Sequence, residues 1–380
     1  MIMNNESRPA KPVLIGVLLN HKKLIHTANP SLMRLKMLDQ ANDQANTVIF
    51  LFCLEDVLYD REMISGYYYD RASGRWRNKL FPLPDVLYFR GAAAGYPRAK
   101  FQRFEKMTGE KNIRKINTLV AFNKWELHKV LSANETIAPH LPGTVLYQGQ
   151  PHVILQMLQR YGKVYLKACL GRQGKQVMQV RQLTRDYFEY RYYINKLYAH
   201  RVSFYRLFQL IDRFFQGKSF IVQQPIDLIA LGEQKIDLRA ELQRNSKGEL
   251  EIVAIPVRVG KKNAPITTHS ASYCFEEFFL NQLGYSTAEL RSLKERLRTL
   301  LFALYETIES HYGPFGEIGI DLGLDNAGKI WFIEANAQPA KVSLMGAYDH
   351  HVISRAFANP VEYALFLAGS GQPQGILNFS

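Results

Sequence analysis

Sulfur is scarce in this chain: three cysteines among 380 residues, Cys53, Cys169 and Cys274, odd in number and far apart. That excludes a disulfide framework and any C-x-x-C metal or redox pair, and it fits a reducing, cytoplasmic compartment. Long apolar runs are missing as well. The first, from Val13 to Leu19, leads into His21-Lys22-Lys23 with no small-residue cleavage site, so it reads as a buried strand. No stretch reaches the ~18 apolar residues of a membrane span. Familiar nucleotide loops are also absent. There is no G-x-x-x-x-G-K-[ST], and no G-x-G-x-x-G opens a helix, which excludes P-loop and Rossmann readings. No nucleophile elbow, H-E-x-x-H or Cys/His pair of familiar spacing competes for a catalytic role.

What is present is ordinary in bulk and biased in charge. At 380 residues the chain suffices for two or three lobes, and 47% hydrophobic with 22% charged residues is normal for folded domains. Lys and Arg number 48 against 34 Asp and Glu, a net of +14. That excess suits nucleotide phosphates, an acidic small substrate, an anionic polymer or nucleic acid, and does not choose among them. Interleaved aromatic and basic residues in "YFEYRYYINKLYAHRVSFYRLFQ" suit stacking on a polyanion. Aromatics at helical spacing are more often packing, however, and no nucleic-acid module is recognisable, which argues against a nucleic-acid partner.

Along the chain, "KPVLIGVLLN", "NTVIFLFCLEDV" and "PDVLYFRG" are short apolar runs separated by helix-length stretches, which predicts a small α/β lobe over residues 11–115. A second region, 116–370, opens with a helix carrying Lys124 and Trp125. "GKVYLKACLGRQGKQVMQV" reads as strand, Gly loop, strand. Residues 184–216 have a helical pattern. Pro225 ends the strand "SFIVQQ", and "KIDLRAELQRNSKGELEIVAIPVRVG" is a hairpin turning at 245–248. From Ser286 to His311 the spacing predicts the best-defined helix, with Ser286 and Glu289 as a capping box and Leu290, Leu293, Leu297, Leu300, Leu304 and Ile308 as its stripe. A last hairpin, "GEIGIDLGLDNAGKIWFIEANAQPA", precedes a closing helical segment.

That hairpin carries the chemistry. A turn centred between Ala327 and Gly328 sets Asp321 directly across from Glu334, with Asn336 next on the same face. Opposed carboxylates repel, and a hard divalent cation resolves the repulsion with two carboxylates, an amide oxygen, water and phosphates. Lys167, the loop with Gly171 and Gly174, and Lys124 suit phosphate oxygens, although a Gly-containing hairpin loop with a solvated lysine is the commoner meaning of such a pattern. Asp237 and Arg239 share a strand face, and Arg258 follows on the next strand.

The order Lys124, Lys167 with its Gly loop, "FIVQQPI", "DLRAEL", Arg258 and "GIDLGLD…IWFIEANAQP" resembles the ATP-grasp superfamily. Within it, the order is most similar to the YheC/YheD family of endospore coat-associated ATP-grasp proteins. "VLIGVLL", "GYYYD…W" and "PDVLYFR" extend the resemblance over nearly the whole chain. It implies an α/β pre-ATP-grasp lobe at 11–115 and an ATP-grasp unit at 116–370, with a lid near 145–228 and a metal-binding subdomain at 229–370. It also implies ATP and Mg²⁺ as cofactors. Lys124, Lys167 and the Gly171–Gly174 flap fall on the phosphates, and the backbone of Gln224 and Ile226 on adenine. Asp321, Glu334 and Asn336 fall on the metal, and Arg239 and Arg258 on the transferring phosphoryl group. The sequence departs from the family pattern at Ala168, where proline often follows the lysine, and at Gln224, where glutamate is common. The implied activity joins a carboxylate, acidic by the charge argument, to an amine through an acyl phosphate, with association to the spore coat. The alternatives are a coat-associated scaffold without turnover and an anionic-polymer-binding protein.

Overall fold

In the computed structural model, residues 11–20, 30–42, 45–91, 96–171, 176–194, 196–262 and 271–369 are described. Three sheets organise them. In the first, Val13–Leu18 lies parallel between Thr47–Phe52 and Val86–Phe89, and antiparallel Met63–Asp70 and Arg75–Pro82 extend one side. Strands buried on both faces read as continuous apolar runs, as "VLIGVL" does. One face is covered from the far end of the chain. Phe357, Val361, Tyr363 and Leu367 of helix His350–Ala368 cluster with Ile15, Val17, Ile49 and Leu51.

The second sheet is antiparallel throughout, in the order Leu197–Ser203, Tyr187–Tyr193, Val177–Gln182, Lys163–Ala168, Phe220–Gln223, Thr144–Tyr147. The helical expectation for 184–216 is therefore corrected: only Phe204–Phe215 is helix, and a hairpin precedes it. Phe188, Tyr190 and Tyr192 alternate with Glu189 and Arg191 in "YFEYRYY", a period of two, and Tyr192 stacks on Tyr198 across the strands at 4.9 Å between ring centres. In Lys163–Ala168 the alternation is clean. Val164, Leu166 and Ala168 enter the core with helices Pro151–Tyr161 and Phe204–Phe215, so Tyr165 and Lys167 occupy the other face.

The third sheet runs Ala271–Tyr273, Val257–Val259, Gln234–Arg244, Glu317–Leu324, Ile330–Asn336. Its two central strands divide by parity. Ile236, Leu238, Ala240 and Leu242, with Ile318, Ile320, Leu322 and Leu324, cluster with the stripe of helix Thr287–Tyr312. Each such leucine stabilises the fold by about 1.5–3 kcal/mol. Ser286 caps that helix through its bond from the Glu289 N–H, and Gly313 at φ 88 ends it. The opposite face carries Asp237, Arg239, Glu241, Gln243, Glu317 and Asp321, nearly all of it buried.

Candidate functional site

Two rows of side chains cross the polar face of the third sheet. In one, Arg239, Asp321 and Glu334 are direct cross-strand partners. In the next, Glu241 opposes Gly319, which opposes Asn336. The expected juxtaposition of Asp321 and Glu334 is present, by a different route. The hairpin closes over a three-residue loop, 326–328, between Asp325 and Lys329, with Gly328 left-handed at φ 77. Near the loop Leu322 pairs with Phe332, and an irregularity between Asp321 and Leu322 leaves Ile333 over, restoring Asp321 to Glu334.

Asp321 accepts a forked pair from Arg239, through Nε and through Nη2 at 3.2 Å, and Arg258 Nη2 lies 3.3 Å from its Oδ2. Burial pushes its carboxyl up, but the two arginines outweigh burial and hold it below the usual range. Arg258 also grips Asp237 at 2.6 and 2.7 Å, and Asp237 faces it across the strands. Gly319 makes room for this arrangement, because a Cβ there would stand 2.8 Å from Arg239 Nη1.

Two lysines face this row, Lys124 from a helix and Lys167 from the second sheet. Lys124 begins its helix, capped by Asn123, and reaches Glu334 at 3.1 Å and the Gly171 carbonyl at 3.3 Å. Lys167 is pulled down to about 8, by burial first and by Lys124 besides, with Glu334 and Asp321 opposing. Gly174 and Lys175 lie outside the described residues. Gln224 donates its N–H to the Gly143 carbonyl and accepts the Gly143 N–H with its side chain, tying the segment after Phe220–Gln223 to strand Thr144–Tyr147.

These residues bound one cavity of about 580 Å³. Lys167, Gly171, Gln224, Ile226, Arg239, Arg258, Asp321, Glu334 and Asn336 all line it, whereas Lys124 lines a smaller neighbouring one with Lys167 and Glu334. The donor set suits Mg²⁺: two opposed carboxylates and an amide, all oxygen, with room left for water and phosphate. Asn336 also has a buried Nδ2 with no partner, an N–H donor suited to an acceptor such as a phosphate oxygen and not to a cation. Among the described residues no cluster of three His, Cys, Asp or Glu forms a closed metal cage.

Among the lining residues that were not anticipated are Arg90, Glu241, Lys341 and Tyr165. Arg90 and Lys341 converge on Glu317, which also accepts from Tyr88 Oη at 2.6 Å. Glu241 was visible as the next polar position after Arg239. Arg90 and Lys341 lie on other elements and carried no local signal.

The three sheets, with a cation-rich cavity between the second and third, define an ATP-grasp fold preceded by an α/β lobe. The VanG D-Ala:D-Ser ligase from Enterococcus faecalis superimposes with a TM-score of 0.57 at 11% identity, covering 94% of this chain and 99% of that one. PsnB, an ATP-grasp ligase solved with a phosphomimetic variant of its minimal precursor, Mg and ADP, superimposes at 0.50 and 12% identity, covering 93% and 98%. The chain belongs to the YheC/D like ATP-grasp family, whose profile matches residues 112–367. The endospore coat-associated protein YheD of Bacillus subtilis (strain 168) is 27% identical over 339 residues, 86% of this chain and 72% of YheD.

Proposed function

We propose that this chain is an ATP- and Mg²⁺-dependent carboxylate–amine ligase that works through an acyl phosphate. The observation that carries the reading is the row Arg239–Asp321–Glu334 with Lys167 at one cavity and Lys124 in the smaller one beside it, which Lys167 and Glu334 also line. Lys124 and Lys167 hold the phosphates, with Gly171 beside them. The backbone at Gln224 and Ile226 receives adenine. Asp321, Glu334 and Asn336 would hold Mg²⁺, which when bound supplies neutralising charge at the phosphate oxygens. Once Asp321 turns to that cation, Arg239 and Arg258 gain freedom to contact the transferring phosphoryl group. A substrate carboxylate oxygen attacks the γ-phosphorus, an O–P bond forms, the β–γ bridge breaks and ADP leaves. The amine nitrogen then attacks the acyl carbon, a C–N bond forms, the C–O bond to phosphate breaks, and the nitrogen loses a proton. We also infer a lobe at 11–115 and an ATP-grasp unit at 116–370, divided into a lid near 145–228 and a metal-binding part at 229–370. The relative's name suggests a role at the spore coat.

The test supplies MgATP with a pool of carboxylic acids and amines and identifies the nucleotide product. ADP with phosphate is expected, and AMP as the sole product overturns the mechanism. One observation favours a second reading, a coat-associated scaffold without turnover: both carboxylates of the row already have cationic partners. A chain that yields no product from any broad pool fits that reading instead.

A further inference from the structure

Glu241 is 1% exposed, lines the cavity, and has a buried Oε2 without a hydrogen-bond partner. Its charged neighbours are committed elsewhere. Arg239 donates to Asp321, and Lys341 donates to Glu317. A buried carboxylate oxygen left unmatched costs about 1–3 kcal/mol or more, so a site that retains one has a use for it. The position narrows that use. Glu241 shares the strand face with Arg239, one pleat along, a separation of roughly 7 Å. It stands in the second row, with Gly319 and Asn336, on the side of Arg239 away from Asp237.

We propose that Glu241 is the receiving group for the amine substrate, accepting N–H bonds from a primary amine or ammonium at Oε2. The inference rests on the ligase reading and names its second substrate's anchor. When ionised, Glu241 only accepts and calls for a donor, and an ammonium brings three donors with a compensating charge. A nucleophile must come within about 3–3.5 Å of the acyl carbon, and an amine hydrogen-bonded to Glu241 would be held in the cavity that Arg239 and Arg258 also line. A hydroxyl or an anion gains less here: the first offers one donor, and the second is repelled.

The experiment follows thermal unfolding of the full chain with saturating MgADP while titrating ethylamine, glycinamide and L-alanine, with ethanol and lactamide as hydroxyl counterparts. At least one amine should raise the melting temperature of the wild type where its counterpart does not. Glu241→Gln should weaken that amine at least tenfold while the MgADP response persists, which also reports that the variant is folded. Glu241→Asp, shorter but still anionic, should recover part of the binding. Equal amine binding by Glu241→Gln and wild type overturns the inference, as does an MgADP response with no amine response in the wild type. A wild type that ignores MgADP overturns the ligase reading instead, and the inference with it.

Discussion

Arg239 and Asp321 face each other on adjacent antiparallel strands, and the guanidinium lies in a fork on the carboxylate. The residue proposed to hold the cation is thus already neutralised. Binding MgATP exchanges one set of charge partners for another, and the protein gains from the exchange only through contacts to the nucleotide. At a hundred times its dissociation constant, MgATP should stabilise the chain by about 2.7 kcal/mol, a rise of a few degrees in melting temperature. Glu334→Gln should shrink that rise. It is the cleaner variant, because the Glu334 ion pair with Lys124 is partly exposed, whereas removing Asp321 strands two arginines that are largely buried. An unchanged melting curve across millimolar MgATP would count against nucleotide binding.

The same fork gives Arg239→Lys a definite outcome. Lysine retains the charge but offers a point instead of two parallel donors, so it cannot reproduce a bidentate grip on carboxylate or phosphoryl oxygens. Turnover should fall by about 10²-fold with KM for ATP little changed, since the missing contact belongs to charge that develops in the transition state. Steady-state kinetics on an identified acid and amine would check this. Equal turnover would make Arg239 a structural partner of Asp321 and nothing more.

Much of this was legible in the sequence because period and parity are local. Alternation in "KIDLRAELQR" and "GEIGIDLGL" places one polar and one apolar face, and Ser286 with Glu289 marks a helix start without any tertiary knowledge. Asp321 and Glu334 were paired correctly although the loop has an odd number of residues where an even number was expected, since the extra residue at Ile333 returns the register. Two things were not legible. Residues 184–216 carry aromatics at spacings that suit a helix, but tyrosines stacking across strands decide otherwise, and that stacking needs the partner strand. The grouping of Arg90, Glu317 and Lys341 depends on how the first lobe and the segment after the last hairpin meet the third sheet, a contact between distant parts of the chain.

Glu241 should make the protein less stable than it need be. Burial, partly offset by Arg239 and Lys341, pushes its carboxyl up from 4.5 to about 7. Between those values the folded chain binds more protons than the unfolded one, so this group's contribution to stability falls as pH rises from 4.5 to about 7. Glu241→Gln cannot ionise and escapes the loss. The variant should be the more stable at pH 8, by up to about 3 kcal/mol, and the advantage should fade toward pH 4.5. Denaturant melts of both chains at pH 5, 6, 7 and 8 would test it. A constant difference across that range would mean that Glu241 does not titrate there.

The buried cluster around Glu317 should respond unequally to its members. Glu317 is fully buried, with Lys341 on one oxygen and Arg90 on the other at 2.7 Å. Burial pushes the Glu317 carboxyl up, but Lys341 and Arg90 hold it below the ordinary range, so it is charged and is the common counter-ion of two cations. Glu317→Gln removes that charge and leaves Arg90 and Lys341 facing each other in the interior, which should cost about 3–5 kcal/mol. Lys341→Met removes one cation from a surplus. Glu317 keeps Arg90, the methionine fills the space beside Phe357, and the cost should be about 1–2 kcal/mol. Because Arg90 follows a strand of the first sheet and Glu317 begins one in the third, Glu317→Gln should also loosen the first lobe from the rest. Limited proteolysis should then release an N-terminal fragment from Glu317→Gln and not from Lys341→Met. Equal destabilisation by the two variants would show that Lys341, rather than Arg90, balances most of the Glu317 charge.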